Sequence, residues 1–308
     1  MVYWMNTLFN LNNDTLKPNF EIIGKWNGKK YTVIRALGAG ENGKVYLVKT
    51  KDGEYALKAS DATIDLSYEI QVIKKLGETQ GSSLGFYVFD IDDFIYNNKI
   101  YTYYVMPYFK GITIKNFLYG RKSVDFFIVF KKVIEILLSL HEEGWVFGDL
   151  KSDHIIIDPS TRNISLIDFG GVTFVNQGVR QYTEAFDRGN WRAGSRKADP
   201  HYDLFSLSMV FIQLCLGENK LIKILNTRNS LNNLYGIIHN INNLELLSPI
   251  IERILKGELI DTRTVLNELN NFVAIDEKKY NSFNWIDWLL ATSTILFILT
   301  LGHFIYFY

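Results

Sequence analysis

A single cysteine, Cys215, is present in 308 residues, which excludes an internal disulfide framework and fits a reducing compartment. It lies in the apolar run 209–216, the setting of a small buried hydrophobe. Net charge is missing as well. Thirty-three Lys plus Arg balance 33 Asp plus Glu, so the whole molecule offers no field to draw in nucleic acid or an anionic surface, and any such binding has to be local. The opening Met-Val-Tyr-Trp-Met-Asn lacks a basic stretch followed by an apolar core and a small-residue cleavage site. No secretory signal is read there, and the N-terminus is expected to stay in the cytosol. No internal repeat is visible. A further absence is local: residues 289–308 contain no Lys, Arg, Asp or Glu, and about 20 such residues span a bilayer's hydrocarbon core. Trp285 and Trp288 precede this run, Tyr306 and Tyr308 close it, and Lys278 and Lys279 stand just before it, as in an aromatic belt with the positive side cytoplasmic. The alternative is a buried C-terminal helix.

What is present divides along the chain. Residues 1–21 are rich in Asn and read as an arm. Short strands are expected over 31–37, 44–50 and 54–59, the last two joined by the Asp52-Gly53 turn. A helix over 66–76 follows, then strands over 86–92 and 100–108 around Asn97-Asn98. From 111 the pattern turns helical, with apolar spacing over 126–141 closed by Gly144, a buried helix over 202–216, and later helices over 244–256 and 262–272. The expected organisation is an arm (1–21), a small lobe of five antiparallel strands and one helix (22–110), and a helical large lobe (111–273). A juxtamembrane linker (274–284) and a transmembrane tail anchor (285–308) complete it.

The chemistry is concentrated in a few short segments. Gly38-Ala39-Gly40-Glu41-Asn42-Gly43 runs into Lys44-Val45-Tyr46-Leu47-Val48, a strand where a dinucleotide fold would place a helix. Gly38, Gly40 and Gly43 let backbone amides approach phosphates that any β-carbon would keep away, although a plain hairpin explains the motif equally well. Lys58 lies one strand later, and alternation with Ala56 can carry it inward to phosphate oxygens. A buried ammonium needs a counter-charge, and Glu69 on the next helix suits better than Glu54. Gly148-Asp149-Leu150-Lys151 is followed by an apolar run and then Asp168-Phe169-Gly170. Asp149 can accept or orient a substrate hydroxyl, Lys151 can offset charge on a transferred phosphoryl group, and Asp168 offers hard oxygens to magnesium.

With these parts in this order, the chain resembles the Hanks-type serine/threonine protein kinases over about residues 22–272. Within that family it is similar to the small membrane-anchored YabT-like kinases of spore-forming Bacillus. The phrases that carry the likeness are Gly24-Lys25-Trp26-Asn27-Gly28, Gly144-Trp145-Val146-Phe147-Gly148-Asp149-Leu150-Lys151, Ile167-Asp168-Phe169-Gly170-Gly171 and Tyr182-Thr183-Glu184 through Asp187-Arg188-Gly189. The resemblance implies a two-lobed α+β kinase fold that uses ATP with magnesium or manganese to phosphorylate Ser or Thr of proteins, itself included. Met106 becomes gatekeeper-like, Pro107-Tyr108-Phe109 the hinge touching adenine, and Gly38, Gly40, Gly43, Val45 and Lys58 the remaining nucleotide contacts. It also implies a cell-membrane location with the kinase domain in the cytoplasm.

Departures from the family pattern are equally specific. The asparagine expected five residues after the catalytic aspartate is His154, whose imidazole prefers softer or transition metals. The family's His-Arg is Phe147-Gly148, which removes the arginine that reads a phosphorylated loop. The Ala-Pro-Glu segment is absent, with Ala198-Asp199-Pro200 close to Asp203 instead. Two other readings therefore stay open: a nucleotide-binding pseudokinase acting as a membrane scaffold, and a small-molecule kinase of the aminoglycoside-phosphotransferase type. Arg180, Arg188, Arg192, Arg196 and Lys197 form a basic cluster, for which internal pairing or phosphate contacts are favoured over DNA as an activator. Thr173, Thr183 and Ser195 are the hydroxyls read as phosphosites. No oligomeric state is indicated.

Overall fold

The computed structural model describes residues 15–40, 43–78, 88–228 and 230–307, with 273–287, 291 and 305–307 described by backbone alone. It begins in a curled antiparallel sheet of β1 (Glu21–Ile23), β2 (Lys30–Gly40), β3 (Gly43–Thr50), β4 (Gly53–Ser60), β5 (Asp90–Tyr96) and β6 (Lys99–Pro107), in the order β1-β2-β3-β4-β6-β5. Alternation places Ile22, Tyr31, Val33, Tyr46, Val48, Leu57, Phe94, Tyr103 and Val105 in one buried cluster. The turn between β5 and β6 is made by Asn97 and Asn98, both left-handed (φ 49° and 59°), a conformation that asparagine tolerates and that matches the strand twist. Helix α1 (Thr63–Glu78) crosses between β4 and β5 and buries Leu66, Ile70, Val72, Ile73 and Leu76.

Three expectations are corrected here. The sheet has six strands, not five, because Glu21–Ile23 folds back on Lys30–Thr32. With one inward residue, Ile22, this strand is too short to show a period. The end of the presumed arm is packed: Leu16 is buried, its N–H donates to the Tyr46 hydroxyl (3.3 Å), and Phe20 sets its edge on Tyr96. The arm's residues 1–14 lie outside the described ones. Finally, β5 runs from Asp90 on to Tyr96, past the expected end at 92, while residues 86 and 87 lie outside the described ones; its carboxylates take their donors from the turn 24–29 and from Tyr31. Asp92 accepts the N–H groups of Trp26 (3.1 Å) and Asn27 (2.8 Å), Asp90 accepts from Lys29 and Tyr31, and Lys25 N–H donates to the Asp93 carbonyl (2.8 Å). Gly24 is obligatory in this clasp, since a Cβ would lie 2.5 Å from Asp92 Oδ2.

The second lobe is helical. After β7 (Ile112–Thr113) and the short α2 (Ile114–Leu118), α3 (Ser123–Glu142) buries Phe126, Phe130, Val133, Ile134 and Leu137. A two-stranded antiparallel ribbon, β8 (Trp145–Val146) with β11 (Thr173–Phe174), and a three-stranded antiparallel sheet in the order β10-β9-β7, with β9 (Ile155–Ile157) and β10 (Ile164–Leu166), follow. They hold the loops that carry the polar site residues. Helix α4 (Pro200–Leu216) is buried along most of its length and starts at an Asp199 N-cap that accepts from Tyr202 N–H (3.0 Å). Phe130 and Phe211 meet edge to face at 5.0 Å between α3 and α4. Helices α5 (Glu218–Leu225), α6 (Ser230–Tyr235) and α7 (Ser248–Leu255) complete the lobe.

The chain separates into two compact units, 1–262 and 263–308. All but the first residue of α8 (Thr262–Phe307) lies in the second unit, and its backbone continues through 274–284, the stretch read as a linker. Among the described residues no helix is long and apolar enough to cross a membrane. The expected anchor includes side chains outside the described ones.

Candidate active site

Lys58 sits in β4 opposite Val45 of β3 and Tyr104 of β6. Its Nζ reaches Glu69 Oε2 at 2.7 Å, Glu69 Oε1 at 2.9 Å and Asp168 Oδ1 at 3.0 Å. Residues Lys58 and Glu69 are 3% and 1% exposed, so the pair is held in a dry setting where an unpaired charge would cost several kcal/mol. Burial pulls the Lys58 pKa down, but Glu69 and Asp168 more than offset it and hold it above the ordinary lysine value. Glu69 also accepts from the Tyr104 hydroxyl (3.0 Å) and from the Phe169 N–H (3.1 Å). One carboxylate thereby ties strand β4, strand β6, helix α1 and the Asp168-Phe169-Gly170 turn together. Glu54, the alternative counter-charge, is exposed and opposite Lys49.

Asp168 adopts a left-handed backbone (φ 67°), unusual for a non-glycine residue and a form of strain found at functional sites. Burial pushes its carboxyl up, but the charge of Lys58, with the hydrogen bonds from Lys58 and the Gly170 N–H, outweighs that and brings it down to about 2. Phe169 packs edge to face on Phe147 at 5.8 Å. His154 is buried; its Nδ1 lies 2.8 Å from the Asp149 carbonyl oxygen and its Nε2 3.6 Å from Asp168 Oδ2. A carbonyl can only accept, so Nδ1 carries the hydrogen and Nε2 keeps its lone pair. Burial lowers the His154 pKa, which favours this neutral form. A lone-pair nitrogen and a carboxylate oxygen so placed fit a divalent cation. Among the described residues no group of three or more His, Cys, Asp or Glu stands ready for a metal, so the remaining ligands would be phosphate oxygens and water.

Asp149 follows Gly148, whose φ of 81° and a Cβ that would lie 2.6 Å from the Gly171 carbonyl oxygen bar any larger residue. Lys151 Nζ reaches Asp149 Oδ2 at 3.3 Å, and the Thr183 hydroxyl donates to Asp149 Oδ1 at 2.9 Å. The loop is fixed from below by Asp203, fully buried in the first turn of α4. It accepts the N–H groups of Phe147 (2.7 Å) and Gly148 (2.9 Å) and lies 2.9 Å from His141 Nε2. Sequence reasoning missed Asp203 and Tyr104 as site residues and read Thr183 only as a phosphosite. A carboxylate inside the buried run 200–216 was the available signal for Asp203, and the inward phase opposite Lys58 was the signal for Tyr104. Nothing in the sequence tied the Thr183 hydroxyl to Asp149.

On the nucleotide side, a Cβ at Gly38 or Gly40 would meet nothing within 4 Å, while at Gly43 it would lie 2.6 Å from the Ala59 carbonyl oxygen. Gly43 thus lets the loop close on β4, and Gly38 and Gly40 leave room for a ligand's approach. Residues 41 and 42 lie outside the described ones. Val45, Met106 and Tyr108 are half-buried; Met106 lies opposite Ala56, and Tyr108 receives a hydrogen bond from Arg35 Nη2 (3.3 Å).

The segment after Gly170 is compact. Arg188 donates from both Nη atoms to Asp199 (2.7 Å each), from Nη2 to the Lys197 carbonyl and from Nε to the Ser195 carbonyl. Buried Asp187 accepts from the Tyr202 hydroxyl, Arg196 Nε and two backbone N–H groups. Arg180 pairs with Asp65 at 3.7 Å. Of the three hydroxyls read as phosphosites, Thr173 is buried and donates to the Gly171 carbonyl (2.9 Å), Thr183 is spent on Asp149, and Ser195 is exposed.

Geometry and comparison agree on the class of protein: residues 31–274 match the protein kinase domain, and the chain belongs to that family. Its relatives include the serine/threonine-protein kinase YabT of Bacillus subtilis, 39% identical over 201 residues, covering 64% of this chain and 59% of that one. The probable serine/threonine-protein kinase fnkE of Dictyostelium discoideum is 28% identical over 221 residues, 66% of this chain and 16% of that protein. The chain therefore spans less than two thirds of the length of these relatives. Among solved structures, vaccinia related kinase 3 superposes with a TM-score of 0.61 at 14% identity, covering 86% of this chain and 93% of that one, a likeness of fold.

Proposed function

We propose that this chain is an ATP-dependent serine/threonine protein kinase that phosphorylates protein hydroxyls, its own among them. The observation that carries this reading is the assembled state of both halves of the site: Lys58 bonded to Glu69 and Asp168, and Asp149 already holding an aliphatic hydroxyl, that of Thr183, at 2.9 Å. In the reaction a Ser or Thr oxygen bonds to the γ-phosphorus, the bond from that phosphorus to the β,γ-bridging oxygen breaks, and ADP leaves. Asp149 orients the hydroxyl and takes its proton. Lys151, 3.3 Å from Asp149, offsets charge on the phosphoryl oxygens, and Lys58 holds the nucleotide's phosphates. Gly38 and Gly40 admit the phosphates, and Val45, Met106 and Tyr108 contact adenine. Asp168 and His154 would hold the divalent cation, which neutralises phosphate charge when bound. A nitrogen ligand in that pair favours manganese over magnesium.

The test is transfer of labelled γ-phosphate from ATP by the full chain in detergent, to itself and to a generic protein, beside Asp149→Asn. Transfer that Asp149→Asn abolishes is the expected result. ATP bound without transfer in either metal would replace this reading by a scaffold.

The C-terminal end of α8 we read as a membrane anchor that keeps the kinase domain on the cytoplasmic side. In support, 289–308 lacks charge, and Trp288, Leu289, Leu290, Ile295, Phe297 and Phe304 are exposed. The full chain should pellet with membranes and resist alkaline carbonate. Recovery in the soluble fraction would overturn this location.

A further inference from the structure

Tyr68 precedes Glu69 in α1 but points elsewhere: its hydroxyl donates to the carbonyl oxygen of Val172 at 3.1 Å, two residues past Gly170. Onto the Tyr68 ring, farther along the same segment, comes Arg180, its guanidinium carbon 3.7 Å from the ring centroid. Arg180 also pairs with Asp65, one turn earlier in α1. A single helical face, Asp65 and Tyr68, thereby grips the segment at Val172 and at Arg180. The residue next to Tyr68 is the one that receives Lys58, Tyr104 and Phe169, so a shift of α1 away from the segment would carry Glu69 with it.

This grip matters because the position just before the catalytic carboxylate holds no cation to read a phosphate on the segment. Position 148 is Gly, closed to larger residues by the Gly171 carbonyl, and the nearby cations Arg188 and Arg196 are engaged by Asp199 and Asp187. We propose that Tyr68 and Arg180 form a phosphate-independent latch that holds the activation segment on helix α1 and so keeps Glu69 in position for Lys58. Both are positioning residues. The cation of the latch comes from the segment and its receptor from the helix, so no added charge is needed to close it. The inference rests on the kinase reading above, and the experiment separates the two.

The experiment uses the full chain in detergent, treated with a phosphatase that is then removed, beside Tyr68→Phe, Tyr68→Ala, Arg180→Ala and the double alanine variant. The phosphatase-treated parent is expected to phosphorylate a generic protein at the untreated rate from the first turnover. Tyr68→Ala and Arg180→Ala should each lower kcat about tenfold, with KM for ATP changed less than about twofold and the unfolding midpoint unmoved. Because the two side chains act as one device, the double variant should be no slower than about twofold below either single one. Tyr68→Phe, which keeps the ring under Arg180 and loses only the Val172 bond, should retain an intermediate rate. Amide hydrogen exchange in 172–183 should accelerate in both alanine variants. Loss of activity on phosphatase treatment, multiplicative losses in the double variant, or unchanged exchange in 172–183 would each overturn the latch. An inactive parent would sink the kinase reading, while the exchange measurement would still decide on the latch.

Discussion

His154 bridges the two carboxylate-bearing segments of the site: Nδ1 lies 2.8 Å from the main-chain oxygen of Asp149, and Nε2 faces Asp168 Oδ2 at 3.6 Å. An asparagine can make the first contact and offer an oxygen at the second. In His154→Asn the ratio of manganese-supported to magnesium-supported kcat should therefore fall several-fold, mostly through faster magnesium turnover. Paired rate measurements over a metal titration check it, and an unchanged ratio would place His154 outside the metal's coordination.

Lys58 and Glu69 pose a question of sign. Lys58→Met leaves a buried carboxylate without its cation, and the expected loss of stability is about 3–5 kcal/mol. Replacing both, Lys58→Met with Glu69→Leu, removes the orphan charge and should recover at least half of that loss, although transfer stays abolished in both. Urea unfolding of the two variants gives the comparison; additive losses would contradict it.

Asp203 holds the catalytic loop through two backbone N–H groups. In Asp203→Asn one of the two acceptors becomes a donor facing a donor, so stability should drop by about 2–3 kcal/mol and kcat by at least about tenfold. The kcat loss should exceed any change in KM for ATP, since Asp203 lies under Asp149 and away from Gly38 and Gly40. Steady-state kinetics beside urea unfolding would show it.

His201 supplies a pH dependence. Its Nε2 lies 2.8 Å from the Ile254 carbonyl and its Nδ1 3.0 Å from Arg188 Nη1, so the buried ring is neutral, donating from one nitrogen and accepting at the other. Burial and the Arg188 charge lower its pKa below the ordinary histidine value. The unfolded chain then takes up a proton at higher pH than the folded one. This contribution to stability is full above about pH 6.5 and is lost as pH falls through the lowered value. The urea midpoint should decline from pH 7.5 to 5.5, and His201→Gln should flatten part of that decline.

Legibility in the sequence followed the range of the interactions. Lys58, Asp149 and Asp168 stand in short segments whose spacing is local, and the structure brings them together with Glu69. The small lobe's strands could be read because Tyr31, Val33, Tyr46 and Val48 alternate, whereas the end of β5 was set at 92, short of Tyr96, because Asp92 and Asp93 look like the start of a turn until the donors of Asp92 at 26 and 27 are known. Thr183 and Asp203 gain their meaning from partners 34 and 56 residues away, and no local pattern encodes such a separation. The continuation of α8 through 274–284 went unread because charged and aromatic residues there interrupt any apolar stripe, while the backbone hydrogen bonds of a helix do not require one.

The clasp at Gly24, Asp92 and Lys25 changes what counts as one foldable piece. The family's shared domain begins at residue 31 in this chain, yet the N–H groups that satisfy Asp92 and the strand that covers the edge of β2 come from 21–29. A fragment cut at the family boundary would take from Asp92 the N–H groups of Trp26 and Asn27 and from Asp90 its Lys29 partner, and would bare a sheet edge to other chains. The unit that evolution shares among kinases is here shorter than the unit whose hydrogen bonds and sheet edge are complete.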